Sequence, residues 1–139
     1  MTTKRTLLPL ASLLVLLFTA SAQAAPPLNP GRWEVTIKTE SPVSMPATTT
    51  EICIAKEKAE KPEPVKGKPT DDCQTNGVSM NGNVLTYATQ CGKSKVSTAA
   101  KFTYSGDTYT GVVTIKSGKR EIRQVYTAKR IGNCDDPGQ

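Results

Sequence analysis

The fold is decided by the stretch Val96-Ser97-Thr98-Ala99-Ala100-Lys101-Phe102-Thr103-Tyr104, in which bulkier side chains occupy even positions and mostly small or charged ones occupy odd positions. An alternation of opposite parity follows in Tyr109-Thr110-Gly111-Val112-Val113-Thr114-Ile115, where Tyr109, Val113 and Ile115 are odd. Successive side chains of a β-strand point to opposite faces of the sheet. The alternation therefore predicts two strands, each with one core-facing side.

Two glycine dipeptides predict how these strands pair. A two-residue turn at Ser105-Gly106 places Phe102 opposite Tyr109. A second turn at Ser117-Gly118 places Tyr109 opposite Tyr126. Both turns bring apolar side chains onto one shared face, so the two hairpins are predicted to form a three-stranded antiparallel sheet.

A third hairpin is predicted before these strands. Asn81-Gly82, the dipeptide that best accepts a type I′ turn, separates the stretches Cys73–Met80 and Val84–Cys91. A two-residue turn at this dipeptide places Val78 opposite Leu85. The three strands described above follow this hairpin in the chain.

The N-terminal half adds two strands and a short helix. Alternation predicts strands over Gly31–Lys38 and Thr48–Ile54, while Ala55–Lys61 has strong helix formers but apolar residues for only one or two turns. A loop rich in lysine and proline follows over residues 61–69. The predicted fold is all-β with minor α: an antiparallel meander of about seven strands, as a strongly curved sheet or small barrel, with one short helix between strands two and three.

The first 24 residues are predicted to be a signal peptide. Lys4 and Arg5 give a charged start to an apolar run of 12 residues, Leu7–Phe18. Ala22-Gln23-Ala24 then supplies the small-x-small pattern of a cleavage site. Twelve residues are fewer than the roughly 20 that cross a bilayer, so no transmembrane segment is expected in the mature chain. Residues 25–139 are predicted to form a single disulfide-bonded β domain, periplasmic or secreted after cleavage near Ala24.

Four cysteines, an even number in a short exported chain, predict two disulfides. They are Cys53, Cys73, Cys91 and Cys134. The Asn81-Gly82 turn places Cys73 opposite Gln90, which argues against a bridge from Cys73 to Cys91. Proximity in sequence slightly favours Cys53–Cys73 with Cys91–Cys134. The connectivity stays open, because a straight meander puts Cys91 and Cys134 at opposite ends of the sheet.

The residues needed for most enzyme chemistry are missing. The chain has no histidine, which excludes Ser-His-Asp and Cys-His catalysis. No phosphate-binding glycine loop or dinucleotide fingerprint occurs, and most carboxylates fall in predicted loops, turns or the tail. We therefore expect no enzyme activity, no cofactor and no metal site. Signal-peptide removal takes two of the 18 basic residues and leaves a charge of +4, too low to predict specific nucleic-acid binding.

Five aromatic residues could suggest a surface that stacks nucleic-acid bases. Four of them lie at predicted core positions, so we interpret the group as ordinary core. The five are Tyr87, Phe102, Tyr104, Tyr109 and Tyr126.

Candidate contact residues come from the last strand. Arg123 and Lys129 share the outward parity, and with the neighbouring Arg130 they predict a partly basic surface. Gln124 has the core parity, where a polar group needs a partner, so it marks the expected position of a cavity or bound water. These four residues are the predicted ligand or partner contacts.

The order of several short motifs resembles a known family. The chain has Gly31-Arg32-Trp33-Glu34 after its leader, then the four cysteines, and ends with Arg130-Ile131-Gly132-Asn133-Cys134. This pattern is similar to a bacterial exported or periplasmic family known only as a domain of unknown function, with a Gly-x-Trp-Glu start and an Arg-x-Gly-x-Cys end. The resemblance implies export and a disulfide-bonded β domain. It implies no activity and no catalytic residues.

Three functional hypotheses remain. The first is a non-catalytic envelope binding or structural module whose partner is an envelope protein or an anionic polymer. The second is a small secreted inhibitor of a lysozyme or protease, with the segment 56–68 facing the enzyme; the positive charge argues against a basic lysozyme as its target. The third is a binder of anionic glycan or lipid through the basic face. A cavity lined by the sheet would favour ligand carriage.

Overall fold

The computed structural model describes residues 27–64 and 72–134. The predicted signal peptide and residues 65–69 of the predicted loop lie outside the described residues. Within them the fold has seven β-strands and one short α-helix, as the sequence predicts. Their bounds are β1 Gly31–Ser41, β2 Thr48–Ile54, α1 Lys56–Glu60, β3 Cys73–Asn81, β4 Val84–Cys91, β5 Val96–Ser105, β6 Thr108–Ser117 and β7 Arg120–Gly132.

All seven strands form one antiparallel sheet in the order β2-β1-β7-β6-β5-β4-β3. The meander from β3 to β7 is confirmed, and β1 then pairs with β7 and carries β2 on its other side. The sheet does not close into a barrel, because β2 and β3 form its two edges.

The predicted strand pairing is wrong by two residues in each hairpin. Tyr104, not Phe102, lies opposite Tyr109, and Tyr126 lies opposite Gly111 instead of Tyr109. The cause is the position of glycine in the turns. Gly82, Gly106 and Gly118 each occupy the first central position with φ angles of +59°, +65° and +58°, as in a type II′ turn. A shift of two residues preserves side-chain parity, so the residues predicted for the core face of β5, β6 and β7 lie on it.

The bridge Cys73–Cys91, which the sequence argued against, is present, with Cα atoms 3.9 Å apart. The shifted turn and a β-bulge in β3 together explain the error. Gly77 has a φ angle of +60°, and the register shifts between Asn76 and Ser79. The extra residue in β3 brings Cys73 directly opposite Cys91. The turn at Gly82, not the bulge, removes Val78 from its predicted position opposite Leu85; Met80 lies there instead.

The second disulfide joins Cys53 to Cys134, with Cα atoms 5.6 Å apart, so the slightly favoured pairing is wrong in both bridges. Arg32 of β1 pairs with Cys53 on one side and with Gly132 on the other. Cys134 therefore needs only to pass the end of β1 to reach β2. Proximity in the sequence led to the wrong pairing because β1 lies between β2 and β7 in the sheet, and these two strands are distant in the chain.

One face of the sheet carries the core. Trp33 and Leu85 are its largest fully buried side chains, and Ala59 of α1 is buried against the same cluster. The segment before β1 also covers this face: Leu28 is buried, and Asn29 N–H donates to the Gly106 carbonyl over 2.9 Å. The helix and this segment thus cover part of an otherwise open sheet face.

Candidate functional site

Five aromatic side chains from β4 to β7 form one cluster on the core face, which we call the aromatic cluster. Its members are Tyr87, Phe102, Tyr104, Tyr109 and Tyr126, and they include every tyrosine in the chain. Phe102 is central, with ring centroids 5.6–6.5 Å from the four tyrosine rings. Such separations are typical of stacked and edge-to-face aromatic pairs.

Gly111 makes room for this arrangement. It lies between Phe102 and Tyr126 in the sheet, and a Cβ atom on it would clash with the Phe102 ring. The absence of a side chain therefore lets the Phe102 ring lie against the β6 backbone.

A cavity of about 180 Å³ lies between the aromatic cluster and the elements that cover it. Its sheet side is formed by the aromatic cluster and Leu85. Its other side is formed by Leu28, Ile54, Lys58, Pro62 and Glu63. Lys58 and Glu63 are exposed, so they border the side that opens to solvent. The cavity has an apolar floor and a rim with one charge of each sign.

The four phenol groups do not share the same hydrogen bonding. Tyr126 donates its hydroxyl to Gln124 Oε1 over 3.2 Å, and Gln124 Nε2 lies 3.5 Å from Thr39 Oγ1. Within residues 27–64 and 72–134, the hydroxyls of Tyr104 and Tyr109 have no hydrogen-bond partner. Tyr104 is only 6% exposed as a residue, but its hydroxyl is not one of the fully buried atoms without a partner in the described ranges, so it keeps access to water. Tyr104 and Tyr109 both line the cavity, and no partner among the described residues occupies their hydroxyls.

Burial raises the pKa of Tyr104 well above its usual value, and the neighbouring phenols of Tyr109 and Tyr87 raise it further. The pKa of Tyr109 is raised by burial and then by Tyr126, and that of Tyr126 by burial and then by Tyr87. These three phenols stay protonated at neutral pH, and each can then donate and accept a hydrogen bond.

The predicted basic contacts are not brought together at the cavity. On the outer face Arg123 Nε lies 3.6 Å from a Glu40 carboxylate oxygen, and Lys129 Nζ lies 3.0 Å from Glu34. Arg130 has the core-face parity but lies near the end of β7, where it donates to the Pro30 carbonyl over 2.8 Å and to Asn133 Oδ1 over 2.7 Å. Each of the three cations is engaged with neighbouring protein groups.

Gln124 has the partners that its core position requires. It does not line the cavity, but it binds the hydroxyl of Tyr126, which does. Gln124 itself thus lies behind the cavity wall, and its role as a contact residue stays a prediction.

Sequence reasoning assigned the aromatic cluster to ordinary core and missed its role as a cavity wall. The signal available was chemical, because the cluster is built from four tyrosines and one phenylalanine. Each tyrosine brings a hydroxyl that needs a partner when buried, and a filled core would more simply use phenylalanine or leucine.

Residues 27–64 and 72–134 contain no group of three or more His, Cys, Asp or Glu side chains placed to hold a metal ion. In the same part of the chain, no helix has the length and apolar character needed to span a bilayer.

Comparison with known proteins gives one match. No curated protein and no solved structure is significantly similar to the chain. Residues 28–134 match the model of a family described as "Protein of unknown function (DUF3617)". These residues include all seven strands, both disulfides and the whole aromatic cavity. The chain therefore belongs to the DUF3617 family.

Proposed function

We propose that this protein is an exported, non-catalytic binding domain that holds a small apolar ligand in the aromatic cavity. The observation that carries the proposal is the cavity of about 180 Å³, open on one side and lined by the aromatic cluster. Ligand sites are typically concave and mostly apolar, with a few polar groups that orient the ligand. The tyrosine hydroxyls supply such groups here.

The chemistry of the wall favours binding over catalysis. A general acid or base works best with a pKa near the working pH. Burial moves the pKa of Tyr104 and Tyr109 further from neutrality, which weakens both phenols as proton donors or nucleophiles. In the described part of the chain, the charged side chains that line the cavity are Lys58 and Glu63, and both are exposed.

Two disulfides and the N-terminal sequence support export. Disulfides persist mainly in oxidising compartments, and a small domain with little core gains much of its stability from them. A periplasmic or secreted location would also expose the cavity to molecules outside the cytoplasm.

The observations give less support to binding of anionic glycan or lipid by the outer face. Arg123 and Lys129 each lie beside a carboxylate, so their charges are locally balanced. The inhibitor hypothesis rests on the segment 56–68, part of which lies outside the described residues, and no contact in the described part favours it.

Titration of the mature, oxidised protein with 4-fluorotoluene, followed by fluorine NMR, tests the proposed function. We expect saturable binding. Ile54→Trp should abolish it by filling the cavity, while Ile52→Trp is the matched control, because Ile52 lies on the same strand but does not line the cavity. Non-saturable broadening, or equal binding to both variants, would contradict the proposal.

A further inference from the structure

We propose that the cavity selects an uncharged apolar molecule, about the size of one ring or a short alkyl chain, whose hydroxyl or carbonyl oxygen hydrogen-bonds to Tyr104 and Tyr109. This inference rests on the proposed function, since it names the ligand class for the same cavity. It follows from the volume of the cavity, the unpartnered hydroxyls and the balance of charge.

The volume limits the size of the ligand. An apolar cavity of about 150 Å³ holds one benzene molecule. The cavity of about 180 Å³ therefore accepts a single ring with one small substituent, or a short chain. Any longer part of a ligand would have to leave through the open side, between Lys58 and Glu63.

The unpartnered hydroxyls require an oxygen-bearing group in the ligand. Tyr104 and Tyr109 lie directly opposite each other on β5 and β6, with ring centroids 5.9 Å apart. Among the described residues neither hydroxyl has a hydrogen-bond partner and neither is a fully buried atom, so in the free protein both can bond to water, which a bound ligand would displace. Burying a polar group without a hydrogen bond is unfavourable, so a ligand that supplies a partner is preferred over one that does not.

The charged groups at the cavity indicate that the ligand oxygen belongs to an uncharged group. Of residues 27–64 and 72–134, the titratable groups that line the cavity are the four tyrosines, Lys58 and Glu63. The lysine and the glutamate are exposed and opposite in charge, so they provide no buried counter-ion for a carboxylate or an ammonium group. A charged head group would lose its hydration without compensation, whereas a phenol or alcohol would exchange water for the tyrosine hydroxyls.

The test compares three ligands that share one ring and one fluorine reporter: 4-fluorotoluene, 4-fluorophenol and 4-fluorobenzoate. Dissociation constants are measured by fluorine NMR for the oxidised mature protein and for Tyr104→Phe, Tyr109→Phe and Tyr126→Phe. Each substitution removes only a hydroxyl. A parallel series of 1-hexanol and hexanoate, measured by competition, distinguishes a ring from a chain as the apolar part.

Removal of the Tyr104 or Tyr109 hydroxyl should lower the ratio of phenol to toluene affinity by about three- to tenfold, the usual contribution of one hydrogen bond. The ratio isolates the hydrogen bond between the ligand hydroxyl and the tyrosine hydroxyl, because the ring contributes equally to binding in the unsubstituted protein and in the variant. Tyr126→Phe is the control: its hydroxyl already donates to Gln124, so the ratio should change less than about twofold. The benzoate should bind most weakly.

The outcomes separate this inference from the proposed function. Saturable binding of 4-fluorotoluene, with the same ratio of phenol to toluene affinity in all four proteins, would overturn the inference. The proposed function would still stand. Tighter binding of benzoate than of phenol would also overturn it. Failure of all three ring ligands and both chain ligands to bind would overturn the proposed function itself. Circular dichroism of each variant shows whether it is folded.

Discussion

Trp33 and Tyr104 are both buried aromatic residues on the same face of the sheet, and both contact Tyr109, with ring centroids 5.6 and 5.9 Å away. They differ in how their polar atoms are satisfied. Trp33 Nε1–H donates to the Asn29 carbonyl over 3.2 Å, whereas the Tyr104 hydroxyl has no hydrogen-bond partner in the described residues. One core face thus contains a closed region around Trp33 beside an open cavity, in which we propose that a ligand binds.

The closed region is also the one that a long-range disulfide holds together. Trp33 pairs with Ile52 and Arg130 in the sheet, next to the ends of β2 and β7 that Cys53–Cys134 joins. Tyr104 lies on β5, two strands further along the sheet from β7. The difference teaches that the region tied by the long-range disulfide and the region that holds the cavity are neighbouring but separate parts of one core face.

The largest expected effect is loss of the Cys53–Cys134 bridge. Its cysteines are 81 residues apart, so Cys53→Ser with Cys134→Ser should destabilise the domain by about 4.5 kcal/mol on the chain-entropy model. Cys73→Ser with Cys91→Ser, which opens a separation of 18 residues, should cost about 3 kcal/mol. Urea unfolding of the two double variants measures which bridge contributes more to the free energy of unfolding. A larger loss from the second pair would show that the bulged β3–β4 hairpin, not the β1 region, limits stability.

Truncation of Trp33 should rank next. Trp33→Ala removes a side chain that is 0% exposed, and such substitutions cost about 3–5 kcal/mol. Thermal and urea unfolding measure the change. Ile52→Ala is the neighbouring control, because Ile52 is 40% exposed and its truncation should cost far less. Similar losses at the two positions would contradict a closed core around Trp33.

Substitutions that remove the Trp33 N–H or the Tyr104 hydroxyl should have different effects on stability in the closed region and at the cavity. Trp33→Phe loses a satisfied hydrogen bond and some volume, and should cost about 1–2 kcal/mol. Tyr104→Phe removes a hydroxyl without a protein partner, so the free energy of unfolding should change by less than about 0.5 kcal/mol, or rise. The measurement is urea unfolding without ligand. A large loss in Tyr104→Phe would mean that the hydroxyl has a structural partner and is not available to a ligand.

Alkaline pH should lower the free energy of unfolding through the tyrosines of the aromatic cluster. The pKa values of Tyr104, Tyr109 and Tyr126 are raised in the folded protein, chiefly by burial. Above the ordinary tyrosine pKa of about 10 the unfolded chain binds fewer protons than the folded one, so stability falls as pH rises further. Below that pH the contribution is fully present. Ultraviolet titration of the phenols, together with unfolding free energies, tests this. Ordinary ionisation of Tyr104, Tyr109 and Tyr126 in a protein that stays folded would contradict it.

The sequence predicts the strands and their faces well, because alternation of side chains is a local property. The residues predicted for the core face of β5 and β6 lie on it, and the bounds of β2 match the prediction. Strand pairing was less predictable. Each hairpin glycine fits either central turn position, and the choice shifts the register by two residues without changing the faces.

The disulfides could not be read from spacing. Cys73 reaches Cys91 only because a bulge at Gly77 adds a residue to β3, and glycine in a strand predicts a bulge only weakly. Cys134 reaches Cys53 because β1 lies between β7 and β2, which is a property of the whole topology. The cavity depends on how α1 and residues 27–29 cover the sheet, so local patterns could place its tyrosines on one face but could not show the space between them.

Intermolecular nuclear Overhauser effects from bound 4-fluorotoluene test the division of the core face most directly. The ligand protons should show contacts to the ring protons of Phe102 and Tyr104, and none to the indole protons of Trp33, whose surroundings are filled. Contacts to the Trp33 indole, or only to exposed residues such as Val43 and Met45, would contradict an open binding region beside a closed one.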